Sequence, residues 1–145
     1  MITFRFVFRQ DYVMRLIEQL ADFVARIGGH TKRRDYAAAL ADADRAWSEL
    51  LDVPRELVDR IAGPTLAGLL REPVKMRIGA QLLIEEAKAY AGKRDPIHAA
   101  LCYRRAFELY LEARAVDPTD ADDAAIFELS RLVPPAEIDP RYRSK

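Results

Sequence analysis

The sequence predicts an all-α protein, an array of stacked α-α hairpins with about six or seven helices. Three observations carry this. Apolar residues recur at steps of three and four along most of the chain. Glycine, proline and capping residues punctuate them at helical lengths. A second long hairpin repeats features of the first 60 residues later, as Asp35 and Asp95 mark.

The 145 residues suit one domain, 1–145, large enough to need no disulfide or metal staple. Residues 1–9 set Ile2, Phe4, Phe6 and Phe8 in alternation with Thr3, Arg5, Val7 and Arg9. Period two predicts a short extended N-terminal arm, docked on helices for want of a second strand. Residues 10–27 predict the clearest helix, with Tyr12, Leu16, Ile17, Leu20, Phe23 and Ile27 on one stripe and Gly28-Gly29 as its stop. Asp35 caps a helix over 36–52 that turns Leu40, Ala43, Trp47 and Leu50 inward. Two short helices follow, 55–62 and 65–71, with Gly63-Pro64 between them. A long helix spans 74–91. Asp95-Pro96 opens another over 96–116, since proline at the first helical position loses nothing. Thr119 or Asp120 caps the last, 121–132, which packs through Ile126, Phe127, Leu129 and Leu132. Pro134-Pro135 and Pro140 predict an extended tail over 134–145.

At the 60-residue offset Ala39 meets Ala99, Ala46 meets Ala106 and Trp47 meets Phe107. The spacing Ala99, Tyr103, Ala106, and again Ala106, Tyr110, Ala113 with Pro118 after it, resembles the second helix of tetratricopeptide repeats. Leu83, Ala87 and Tyr90 look like the matching first helix. The fold is therefore identified as tetratricopeptide-like. Two departures stand: Ala43 occupies the aromatic slot of the first hairpin, and the offset exceeds the regular repeat of about 34 residues. Gln10-Asp11-Tyr12, Arg15, Ile17 and Leu20 also resemble the opening of an uncharacterised bacterial family of this helical type, a likeness that implies no activity.

Lysine plus arginine equals aspartate plus glutamate at 23 each, which disfavours nucleic acid as a partner. One cysteine, Cys102, excludes an intrachain disulfide and fits a cytoplasmic setting. No apolar run reaches the ~20 residues that span a bilayer, so no membrane partner is expected. The chain holds no glycine-rich phosphate loop, CxxC pair or His-Glu-x-x-His. Asp95, His98 and Cys102 share a helical face, but they leave a zinc site incomplete. Asp117, Asp120, Asp122 and Asp123 lack the glycine and distal glutamate of a calcium loop. The adjacent pair Glu85 and Glu86 point about 100° apart and read as solvated or paired with Lys88. No catalysis, metal or cofactor is expected.

The charge is segregated: net +4 over 1–34, −4 over 35–60, +3 over 61–94 and −3 over 95–145. The plain reading is that opposite charges lie across neighbouring helices. The functional reading takes the family resemblance to imply that first helices line a concave face. A mildly basic groove would then hold a protein or peptide partner with an acidic segment. Its polar contacts would be Arg15, Arg77, Gln81 and Lys88, and its apolar ones Tyr12 and Ile84. The alternatives are a self-associating structural module, in which the arm of Phe4, Phe6 and Phe8 meets a second copy, and a small-ligand carrier or enzyme with a site between helices.

Overall fold

The computed structural model describes the backbone of residues 2–143 and the side chains from Arg9 onward. Its helices are α1 (Ile2–Lys32), α2 (Tyr36–Leu51), α3 (Arg55–Arg60), α4 (Gly63–Leu70), α5 (Pro73–Gly92), α6 (Pro96–Val116) and α7 (Asp120–Ser130). Among the described residues there is no strand. The hairpins α1/α2 and α5/α6 stack on each other, α5 lying against both α1 and α2, with α7 packed on α6.

The two hairpins close with the same turn. Arg34 and Arg94 both sit in the left-handed region, at φ 62° and 64°. Asp35 N–H donates to the His30 carbonyl, and Asp95 N–H to that of Tyr90, both at 2.9 Å. Each aspartate then caps its helix, accepting from the Ala38 and the His98 N–H at 3.2 Å. The 60-residue repeat is thus one of backbone geometry as well as of residue type.

The apolar stripes explain the core. Phe23, Ile27, Ala39, Ala43, Trp47, Leu83, Ala87, Ala106 and Leu109 are buried in one cluster. Small residues set the helix spacing. A Cβ on Gly79 would come within 2.9 Å of the Trp47 ring, and one on Gly92 within 2.5 Å of the Tyr36 ring. Close approach of α5 to α2 requires glycine at both points.

Several sequence expectations are corrected. The backbone from Ile2 to Arg9 is helical and opens α1, so there is no extended arm. Alternation over nine residues is too short to oppose the helix that follows it. Met1 and the side chains of Phe4, Phe6 and Phe8 lie outside the described residues. Gly28-Gly29 stays inside α1; the left-handed stop falls at Arg34 instead. Gly63 and Pro64 begin α4 rather than separating it from α3. The C-terminal segment forms two 3-10 turns, Pro135–Glu137 and Pro140–Tyr142, docked on α6. Ile138 enters the core, the buried Glu108 accepts from Asp139 N–H at 2.8 Å, and Glu112 accepts from the Tyr142 hydroxyl. A carboxylate taken out of water needs such donors, and the tail supplies them.

No helix is long and apolar enough to cross a membrane among the described residues.

Candidate functional site

Two kinds of place could carry function: polar groups drawn together in the interior, and clefts left open between helices.

The interior cluster centres on Glu86, 2% exposed on α5. Trp47 Nε1 donates to one of its oxygens at 2.9 Å and Arg55 Nε to the other at 2.6 Å. Arg55 also donates to Asp59 at 2.8 Å and approaches Cys102 Sγ at 3.8 Å. The group locks α3 onto α2, α5 and α6. Burial pushes the Glu86 carboxyl above its ordinary value, and Arg55 and Trp47 only partly offset this. Burial pushes the Cys102 thiol up to about 12, so it is no thiolate nucleophile near neutral pH. Beside the cluster lies an open cleft of about 420 Å³ bordered by Asp44, Ser48, Glu56, Asp59 and Tyr90. Asp44 is raised by burial and by its acidic neighbours Asp59 and Glu56. Every oxygen of Glu86 is already engaged, so the cluster acts as a structural bolt.

This corrects the reading of Glu86 as solvated. Glu85, not Glu86, meets Lys88, at 3.1 Å. A sequence signal existed: Glu86 falls three and four residues after Leu83 and Leu82, within the apolar stripe, and a buried indole N–H needs an acceptor.

A second bolt joins α5 to α7. Arg77 Nε and Nη2 both donate to the Asp122 carboxylate at 2.8 Å, and Arg77 also reaches the Asp117 carbonyl. Burial raises the Asp122 carboxyl, but the bonds from Arg77 and Thr119 outweigh it and hold the carboxyl below its ordinary value. Asp122 is therefore a ligand of Arg77 in addition to lying in the first turn of α7.

The six residues assigned to a groove divide accordingly. Arg77 and Lys88 are paired internally. Gln81 is exposed beside the Tyr110 hydroxyl, and Ile84 is half-buried against the core. Tyr12 and Arg15 sit on the first half of α1, both exposed. Tyr12 meets Lys75, whose Nζ stands 6.0 Å from the ring centre.

Those two residues line an open cleft of about 600 Å³ where α1 passes the α2–α3 and α4–α5 junctions. Its apolar surface comes from Tyr12, Leu51, Val53, Leu57 and Leu69, the last 50% exposed. Asp52, Arg71, Glu72 and Lys75 supply the charge, and Glu72 is already held by Arg9. Arg71 has φ 69° and ψ −45°, and Glu72 N–H donates across it to the Leu70 carbonyl at 2.8 Å. This three-residue turn is strained for a side chain bearing a Cβ. Sequence reading missed Leu69, Arg71 and Lys75 because they meet only where the turn at Arg71 joins the end of α4 to the start of α5.

At the other end of the stack, Asp95 Oδ2 lies 2.7 Å from His98 Nδ1, while Cys102 turns inward to Arg55. Among the described residues no group of three histidine, cysteine or acidic side chains is placed to share a metal ion. The aromatic ring of Tyr90 stacks on His98 at 5.0 Å.

No family model, curated protein or solved structure matches this chain.

Proposed function

We propose that this chain is a non-catalytic helical scaffold, tetratricopeptide-like in its stacking, which binds a segment of a partner protein in the cleft beside Tyr12. The observation that carries the reading is the cleft's composition. Its volume of about 600 Å³ is that of a ligand site. Its accessible apolar residues, Tyr12, Leu57 and Leu69, offer an anchor point. Lys75 and Arg71 form no ion pair among the described residues, while the neighbouring Glu72 is occupied. A short peptide with an apolar anchor and a nearby carboxylate has matching chemistry.

The test is capture of partners from the source cell on immobilised protein, comparing the natural chain with Leu69→Arg and Lys75→Glu variants. One protein retained by the natural chain and lost by both variants supports the reading. Retention by all three refutes it. A charge reversal at Arg77 would be a poor test, since it would break the bolt to α7.

A second reading, a self-associating structural module, rests on α1 itself. This helix has 31 residues against the 16 of α2, so its first half projects beyond its hairpin partner. Met14 and Ile17 there are 59% and 50% exposed. Sedimentation across a concentration series separates the two: a mass that doubles supports this module, and a constant monomer mass refutes it.

A further inference from the structure

The repeat itself says what ought to cover α6. Against α2, α5 runs antiparallel from Gly79 on the Trp47 ring to Gly92 on the Tyr36 ring. Between those contacts Ala39 and Ala43 are completely buried. The equivalents of this strip on α6, 60 residues on, are Pro96, Ala99, Ala100, Tyr103 and Phe107. The helix that packs on α6 as α5 packs on α2 is α7, but it has 11 residues where α5 has 20. Phe107 is buried, and beyond α7 Pro134-Pro135 turn the chain back toward Glu108. The strip from Pro96 to Tyr103 is left without its helix. Pro96 and Ala100 are exposed, Tyr103 is half-buried, and a groove of about 580 Å³ lies over them, ended by the 56% exposed Leu132.

The opposite end of the stack is finished differently. The α1 residues standing where Gly79, Glu86 and Gly92 stand on α5 are Gln19, Arg26 and Lys32, all exposed and polar. A polar outer face is how a stack of repeats is capped. The chain is therefore capped at α1 and open at α6. A second copy adding its α1 in register would set these polar residues on the apolar strip, which disfavours a second copy as the occupant.

We propose that the α6 groove receives an amphipathic helix of a partner protein, in the place that the last turns of α5 take on α2. About three turns span the strip. The contacting face carries small and medium apolar residues, because the floor of Ala99 and Ala100 leaves room for them. Its flanks are acidic, because Arg94 borders the groove and forms no ion pair among the described residues. This rests on the scaffold reading in general but not on the Tyr12 cleft, which lies elsewhere.

The probe is a fluorescent, hydrocarbon-stapled helix of about 14 residues, alanine and leucine on one face and glutamate on the flanks. A counterpart carries lysine for each glutamate. Anisotropy is expected to show saturable binding of the acidic helix and about ten-fold weaker binding of the basic one. Binding is lost in Ala100→Trp and retained in Leu69→Arg. Ala100 is exposed, so the bulky variant fills the groove without entering the core, and its circular dichroism melt checks that it folds. Equal binding of both helices, binding that survives Ala100→Trp, or no binding of the acidic helix overturns the proposal. So does a mass that doubles with concentration and is restored to monomer by Ala100→Trp, which would make a second copy the occupant. Loss of the Leu69→Arg contrast in partner capture, with the acidic helix still bound, would fail the Tyr12 cleft alone.

Discussion

Removing Arg55 should unseat a charge that lies out of reach of water, that of Glu86. In Arg55→Met, Glu86 keeps the Trp47 N–H but loses its 2.6 Å partner and its countercharge. Breaking a buried pair from one side costs about 3–5 kcal/mol. That is a large share of the roughly 5–15 kcal/mol that holds a domain folded. Adding Glu86→Gln removes the stranded charge while retaining an oxygen for Trp47. The double variant should recover all but about 1–2 kcal/mol of the loss. The pH dependence has a fixed sign. Burial holds the Glu86 carboxyl above its ordinary value in the folded protein, and it rises further without Arg55. The unfolded chain then releases its proton first, and stability falls as pH rises through that window. Arg55→Met should approach the natural protein near pH 4 and fall furthest behind it at neutral pH. Urea unfolding followed by the emission of Trp47, the single tryptophan, measures all of this. A loss below about 1 kcal/mol at neutral pH, or one that acid does not relieve, would refute a charged pair at this position.

Other outcomes follow from the same geometry. Asp122→Asn should weaken the hold of Arg77 on α7, at a cost of about 2–3 kcal/mol. In the natural protein the contribution of Asp122 is present above its unfolded value and lost as pH falls through its depressed native one, so urea midpoints of the natural and variant proteins should converge in acid. Arg34→Gly and Arg94→Gly should each stabilise by about 1 kcal/mol, because each relieves a left-handed arginine; a loss at either site would contradict the turn. Cys102 should resist a disulfide reagent in the folded protein near pH 8 and react at once in denaturant, which a colorimetric thiol assay reads.

Much of the fold was legible because period and punctuation agreed. Asp35 and Asp95 cap where their neighbours predict, and Trp47, Phe23 and Ile27 are buried as their stripes require. The failures share a physical cause: signals one residue type can carry for two reasons. Glycine stops a helix or lets another approach: Gly79 does the second, its Cβ position 2.9 Å from the Trp47 ring, while Gly28 and Gly29 do neither and stay inside α1. Phe4 and Phe8 suit a strand by alternation and a helix by their spacing of four. Phe127 and Leu132 continue the spacing of α7, yet are 64% and 56% exposed, because periodicity marks a stripe without saying whether another element packs on it. Candidate site residues were the least legible. A surface arginine and a buried bolt look alike in sequence, so Arg77 was grouped with Lys88. The cleft of Tyr12 depends on Leu69 of α4 and Lys75 of α5, whose relative placement is set by the turn at Arg71 that periodicity does not orient.

The most direct test of the scaffold reading is photo-crosslinking in the source cell from a benzoylphenylalanine placed at position 69, in the Tyr12 cleft, with position 49 on the exposed face of α2 as control. One discrete adduct from position 69, absent from position 49 and carrying a different protein, is the predicted result. No adduct from position 69, or one composed only of this chain, would contradict it.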